Sequence, residues 1–141
     1  MTIKEIQQDI IAEFEMYSDW MEKYNYLIEL GKDLPAINEQ YKTEQYIING
    51  CQSQVWLHAD LVDGKIVFTA DSDAIITKGI VGLLIRTLTN QTPDDILETD
   101  MSYLDEIGLQ EHLSPTRANG LLSMIKQMKL YALAFKSKMN N

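Results

Sequence analysis

Cys51 is the one thiol in a chain of 141 residues, and it stands in the run Gly50-Cys51-Gln52-Ser53-Gln54-Val55-Trp56. A lone cysteine closes no intramolecular disulfide and builds no multi-cysteine metal site. It is either an inert core residue or a group whose chemistry involves a second molecule. Its neighbours bring the second reading level with the first. A glycine precedes it, three polar residues follow, and apolar alternation starts only at Val55. This is a loop thiol at the mouth of a strand. The other groups capable of chemistry are sparse. His58 lies mid-strand on a mixed face and reads as a plain surface or boundary residue. His112 precedes the last helix. A cysteine hydrolase needs a base within hydrogen-bond reach of its thiol and a third group to orient it, and the sequence displays neither for Cys51. No combination of Cys51, His58, His112 and acids has a diagnostic metal-ligand spacing. Arg117 opens the last helix, where a cation is mildly unfavourable. It is either a solvated side chain or one kept for another contact.

The elements that position Cys51 follow from periodicity. Thr2 and Glu5 form a capping box, and Ile3, Ile6, Ile10, Phe14 and Tyr17 recur at helical spacing. Ser18 or Asp19 caps a second helix, which carries Trp20, Tyr24, Leu27 and Leu30 inward and stops near Gly31, with Pro35 beyond. Residues 36 to 50 have no clear period and read as a loop with a short extended piece at Tyr46 to Ile48. Val55, Leu57, Ala59 and Leu61 then alternate with polar or mixed residues. Asp63-Gly64 is a two-residue hairpin turn, and Ile66, Phe68 and Ala70 resume the alternation. Pairing across that turn sets Leu61 opposite Ile66, Ala59 opposite Phe68, Leu57 opposite Ala70 and Trp56 opposite Asp71, with Gln54 near Asp73. A nearly all-apolar helix from Ala74 to about Thr89 is the buried central element, with Gly79 and Gly82 marking close backbone approach. Short helices follow from Pro93 to about Glu98 and from Tyr103 to Ile107. Ser114-Pro115 starts the last helix, whose inward stripe is Leu121, Ile125, Met128, Ala132 and Phe135.

The register places the Cys51 loop at the end of the sheet where the central helix begins. A helix N-terminus presents unpaired N–H groups and favours an anionic sulfur, while Asp71 and Asp73 disfavour it. The sequence leaves that balance open.

The bulk properties bound the rest. The chain has a formal net charge of −9 and a pI near 4.6, with 45% hydrophobic and 23% charged residues. These are ordinary globular values for one domain, residues 1–141. An acidic chain repels phosphate backbones, so nucleic acid is excluded as a partner. The longest apolar stretch, Ile75 to Leu88, holds Lys78 and Arg86 and falls short of the roughly 20 apolar residues a membrane helix needs. No membrane association is expected. No signal peptide is visible, and one unpaired cysteine suits a reducing cytoplasm.

Five blocks, in order, then carry a family resemblance over about residues 14 to 135. They are Trp20-x-x-Lys23-Tyr24 with Ile28-Glu29-Leu30-Gly31 and Leu34-Pro35; Gly50 to Trp56; Asp71-Ser72-Asp73-Ala74 with Lys78-Gly79; Thr92-Pro93-x-Asp95-Ile96; and His112-Leu113-Ser114-Pro115-x-Arg117-x-x-Gly120-Leu121. The chain resembles the SufE-type sulfur acceptors. It departs from their pattern at Ala70, where glycine is usual, and at Tyr46, where asparagine is frequent; neither change removes a group from the cysteine motif.

The resemblance implies an α+β domain, a small antiparallel sheet of about three strands packed by helices, similar to iron–sulfur scaffold proteins. It implies that Cys51 accepts persulfide sulfur from a pyridoxal-phosphate-dependent, SufS-like cysteine desulfurase, stimulates that enzyme, and passes sulfur to a downstream iron–sulfur scaffold complex. The protein would be a covalent carrier and activator more than a stand-alone enzyme, with no cofactor of its own, acting alone or as a weak homodimer. Gln52, Ser53 and Gln54 would shape the Cys51 pocket. Asp73, His112 and Arg117 would support the loop or the partner contact, Asp73 being equally readable as the N-cap of the central helix. Service to a cysteine-sulfinate desulfinase is a close alternative. An iron–sulfur or metal scaffold is a more distant one, against which a single cysteine argues.

Overall fold

A computed structural model describes residues 1–51 and 53–139. Helix α1 (Ile3–Glu15) begins with the full Thr2/Glu5 capping box. Helix α2 (Trp20–Lys32) takes Asp19 as its cap, the carboxylate accepting from Glu22 N–H. Two 3-10 turns, Glu39–Tyr41 and Glu44–Tyr46, occupy the region read as loop. Strands β1 (Val55–Val62) and β2 (Lys65–Ser72) form the hairpin. Helices α3 (Ile75–Leu88), α4 (Pro93–Glu98) and α5 (Tyr103–Glu106), a 3-10 turn at Gln110–His112 and the long α6 (Pro115–Met139) complete the chain.

The strand register matches the one derived from the Asp63-Gly64 turn, pair for pair. Both turn residues have positive φ, +53° and +80°, as the tight hairpin requires. The fold is α+β, but its sheet has two strands. The third neighbour shrinks to a single bridge between Ile47 and Trp56, because the 3-10 turn at Glu44–Tyr46 leaves only Ile47 and Ile48 extended. The inward face of the hairpin, Val55, Leu57, Ile66, Phe68 and Ala70, is fully buried. Helix α6 closes over it: Tyr131 Oη donates to the Leu57 carbonyl at 2.9 Å, and its ring meets Phe68 edge-on.

Helix α3 runs through the centre, and α2 crosses it at backbone contact. A Cβ at Gly79 would stand 2.3 Å from the Leu27 carbonyl oxygen, and one at Gly31 would stand 2.9 Å from Gly79 N. Gly31 is a packing residue in the last turn of α2, which ends at Lys32, one residue past the stop expected near Gly31. On the outer side the three helices are joined by one cluster. Arg86 of α3 donates through both terminal nitrogens to Glu13 of α1, and Tyr26 of α2 donates to the same carboxylate. The Arg86 guanidinium holds the Glu13 carboxyl below its usual range, with burial opposing and Tyr26 assisting. A depressed carboxylate stabilises the fold above its unfolded pKa and loses that contribution as pH falls through the folded value. Glu13→Gln is accordingly expected to lower the thermal midpoint at pH 7 and to flatten its decline below about pH 4, measurable by thermal melts across pH.

His58 departs from the surface or boundary reading: it is buried, at 9% exposure. Tyr41 stacks on its ring at 3.5 Å between centroids and Tyr46 meets it edge-on, both supplied by the 3-10 turns. The aromatic turn residues cover the outer face of β1, a contact that strand alternation alone does not encode.

Candidate functional site

The Cys51 loop leaves the hairpin through two fixed points. On its N-terminal side, Ile48 N–H donates to the Val55 carbonyl at 2.9 Å. On its C-terminal side Gln54 is gripped by its backbone. Its N–H donates to Asp73 Oδ1 at 3.0 Å, and its carbonyl accepts from Ser72 Oγ at 2.9 Å and from Asp73 N–H at 3.3 Å. Asp73 is thus a loop anchor. The cap position of α3 falls to Ala74, which offers no side-chain acceptor, so the N-cap alternative for Asp73 is corrected. Two residues earlier, Asp71 receives Lys42 at 2.7 Å and Lys78 at 3.3 Å. Burial pushes its carboxyl up, but Lys42, the Ser72 N–H and Lys78 outweigh it and hold the group below its usual range.

Between these anchors Gly50 and Cys51 lie against α6. Gly50 has φ +94°, and a Cβ there would stand 2.6 Å from Ser123 Oγ. The backbone conformation favours glycine, while a rotation of the Ser123 hydroxyl would relieve the close approach. Cys51 follows, half-buried, with Sγ 3.8 Å from the Gly120 carbonyl oxygen. A Cβ on Gly120 would come within 3.3 Å of that sulfur. The thiol faces a small pocket. The loop contributes Ser53, α3 contributes Thr77 and Ile80, and α6 contributes Thr116, Arg117, Gly120 and Met124. The space open to the centre of a water-sized sphere is ≈ 10 Å³, about enough for one atom of that size. Ser53 Oγ and Thr77 Oγ1 are hydrogen-bonded at 3.2 Å.

Two helix starts reach this pocket, α3 through Thr77 and α6 through Thr116 and Arg117. Even so, burial pushes the Cys51 thiol above its ordinary pKa. Desolvation decides the balance that the sequence left open, since removing water penalises the thiolate. The expected consequence is an alkylation rate for the free protein that rises with pH to a midpoint above the ~8.5 of an unperturbed cysteine and shifts down when urea unfolds the chain. An iodoacetamide pH–rate profile on both states measures this.

The remaining expected site residues separate into groups. Arg117 lines the pocket, and among the described residues its guanidinium has no carboxylate partner. Its backbone N–H donates to the Ser114 hydroxyl at the start of α6. His112 does not line the pocket. Its ring stacks on Trp20 at 3.9 Å, its Nδ1 bonds to the Gly108 carbonyl at 2.9 Å, and the His112 carbonyl accepts from Tyr24 Oη. It ties α2 to the segment before α6. The Gln54 side chain is exposed, and its backbone does the anchoring. Gln52 lies outside the described residues. Thr77, Thr116, Ser123 and Met124 went unrecognised as site residues in the sequence. Their only signal was position, in the first turns of two helices or one helical step from Gly120. Among the described residues no group of three or more His, Cys, Asp or Glu side chains is placed to hold a metal ion, and no helix is long and apolar enough to cross a membrane.

Comparison with known proteins gives a consistent result. The family model for SufE, described as an Fe-S metabolism associated domain, matches residues 8–132. An uncharacterized SufE-like protein of Synechocystis sp. is 40% identical over 126 residues, covering 89% of this chain and 79% of that protein. One from Rhizobium meliloti is 41% identical over 125 residues, covering 85% and 89%. SufE-like protein 1, chloroplastic/mitochondrial, of Arabidopsis thaliana is 37% identical over 132 residues, or 93% of this chain and 36% of the longer plant protein. The solution structure of a hypothetical protein from Thermus thermophilus superposes with a TM-score of 0.77 at 21% identity, covering 92% and 94% of the two chains, a likeness of fold.

Proposed function

Because the chain belongs to the SufE family, whose domain is associated with Fe–S metabolism, we propose that it carries sulfur. Cys51 takes the outer sulfur of a persulfide held by a pyridoxal-phosphate-dependent cysteine desulfurase and delivers it to an iron–sulfur assembly complex. The observation that carries this reading is the placement of the chain's single thiol. It sits on a loop anchored at both ends, half-withdrawn into a pocket with room for about one more atom.

The transfer follows thiol–disulfide exchange. Cys51 loses its proton to solvent or the donor site. The thiolate attacks the outer sulfur of the donor persulfide, a new Sγ–S bond forms, the donor's S–S bond breaks, and the donor cysteine leaves as thiolate. Cys51 then carries a perthiol, and no net oxidation has occurred. Burial works against the first step, because the withdrawn thiol is the less acidic one. The loop therefore reacts when a donor lifts it out and restores a polar surrounding, and it is protected when idle. Exposed Arg117 beside the pocket offers the lifted thiolate, or an acidic donor surface, a cation. A reducing compartment such as the cytoplasm suits an unpaired carrier thiol.

The test is incubation with a desulfurase and free cysteine, followed by intact mass measurement and assay of desulfurase turnover. The expected result is one added sulfur on the peptide containing Cys51 and faster turnover in the presence of the protein. Unchanged mass together with unchanged turnover would reject the reading.

A further inference from the structure

Helix α6 carries a second apolar stripe, on the side turned away from the core. Leu122, Lys126, Leu130 and Leu133 follow one another at helical spacing and share one face. The leucines are 54%, 46% and 51% exposed, and Lys126 stands exposed among them. Single exposed leucines are ordinary on a protein surface, but a line of them on one helix marks a contact surface. The charges around the stripe are sorted. Every charged residue of α6 is basic (Arg117, Lys126, Lys129, Lys136 and Lys138), in a chain of net charge −9. The flanking helix α4 carries Asp94, Asp95 and Glu98 and no base. It runs along the second half of α6 in the opposite direction. Lys129 Nζ donates to the Thr99 carbonyl at 2.9 Å at one end of α4, and Lys136 Nζ reaches Asp94 Oδ1 at 2.8 Å at the other. Lys129 and Lys136 are thereby taken up within the chain. Among the described residues Lys126, Asp95 and Glu98 have no ion-pair partner.

We propose that this face docks a second copy of the chain, two α6 helices packing antiparallel about a two-fold axis near position 128, with the leucine stripes together and Lys126 of each copy meeting Glu98 of the other. A two-fold contact lays one surface on itself, so a purely basic stripe would repel its copy. Here the acids of α4 lie beside one half of the stripe, and the free lysine lies on the other half. Antiparallel packing sets position 126 of one helix against position 130 of the other, beside the end of α4 that carries Glu98, so unlike charges meet twice. Gly120, which touches Cys51, is turned about 120° around the helix from Lys126, and the pairing keeps both thiols outside the contact. A helix of 25 residues is ~37 Å long and ~10 Å wide, so each copy contributes on the order of 400 Å², about half of a standard interface. The dimer is accordingly a weak one. This inference is independent of the carrier reading.

Sedimentation equilibrium of the full chain from about 5 µM to about 1 mM tests it. Salt at about 0.15 M screens the repulsion between two copies of like net charge, and a reductant keeps Cys51 a free thiol. The mass is expected to rise from one chain toward two across that range. Leu130→Glu, Lys126→Glu and Glu98→Lys are each expected to weaken association about tenfold or more. The double variant Lys126→Glu/Glu98→Lys should regain most of it, a recovery that damage to the fold would not give. All of these positions are exposed, and unchanged circular dichroism verifies that the variants fold. A parent chain that stays a monomer at every concentration overturns the pairing; if that monomer binds phosphatidylglycerol vesicles, the stripe belongs to a lipid surface instead. A dimer indifferent to Leu130→Glu, or a double variant that remains dissociated, overturns it as well.

Discussion

Cys51→Ser is expected to abolish sulfur acceptance and stimulation of the desulfurase while leaving the fold intact. The serine hydroxyl is smaller than the thiol and stays protonated at neutral pH, so no nucleophile forms to attack a persulfide. The half-buried sulfur of Cys51 has a weak contact with the Gly120 carbonyl at 3.8 Å, and the hydroxyl can make that bond at shorter range. The predicted change in thermal midpoint is therefore small, within the usual range for a tolerated substitution of about 1 kcal/mol. The predicted change in transfer is complete. Intact mass after incubation with donor and cysteine reads sulfur acceptance, and turnover of the donor reads stimulation. A Cys51→Ser protein that still gains sulfur would place the acceptor elsewhere, although the chain has no second thiol.

Gly79→Ala is expected to be the most damaging single methyl in the protein. Alanine is about 1 kcal/mol better than glycine in a helix interior, so propensity alone predicts stabilisation. Packing reverses the sign. The added Cβ would fall 2.3 Å from the Leu27 carbonyl oxygen and 2.7 Å from its carbon. These are backbone atoms of α2, so no rotamer change relieves the clash, and the two helices must part. Gly82, against the Leu30 carbonyl at 2.8 Å, sits on the same seam and limits how α2 can slide. Overpacking of this kind costs typically about 1–3 kcal/mol and occasionally more; the net loss is expected at the upper end, about 3 kcal/mol. Urea unfolding of the variant measures it, and a midpoint equal to or above the parent's would contradict the close crossing.

These features differ in how well sequence reports them. The hairpin was legible to the residue because a two-residue Asp-Gly turn and a period of two leave one register that buries Leu57, Ala59, Ile66, Phe68 and Ala70 together. The helix starts at Thr2, Thr92 and Ser114 were legible because cap chemistry is local. The end of α2 near Gly31 was legible too, from glycine with proline beyond, but the second role of Gly31, close packing on another backbone, was not. The partner on which it packs, Gly79, lies 48 positions away in the chain (79 − 31). The site divides in the same way. Cys51 and its loop were visible in one short run. The walls of its pocket, Thr77 on α3 and Gly120 on α6, come from distant stretches, and nothing in either stretch says that they face one sulfur. His58 shows the limit from the other side, since its cover is built by Tyr41 and Tyr46 from a segment without period.

The two anchors of the thiol loop also set a leash. Ile48 and Gln54 are each pinned to the hairpin, and each stands three residues from Cys51. A fully stretched chain advances at most ~3.6 Å per residue, so Cys51 can travel no more than about 11 Å from either pin. On the proposed carrier route, a donor would offer its sulfur within about that radius of the hairpin end, extended by the length of the cysteine side chain. A donor whose reactive cysteine lies deeper has to extend a flexible arm of its own, and the division of reach between the two proteins becomes a measurable property of the pair.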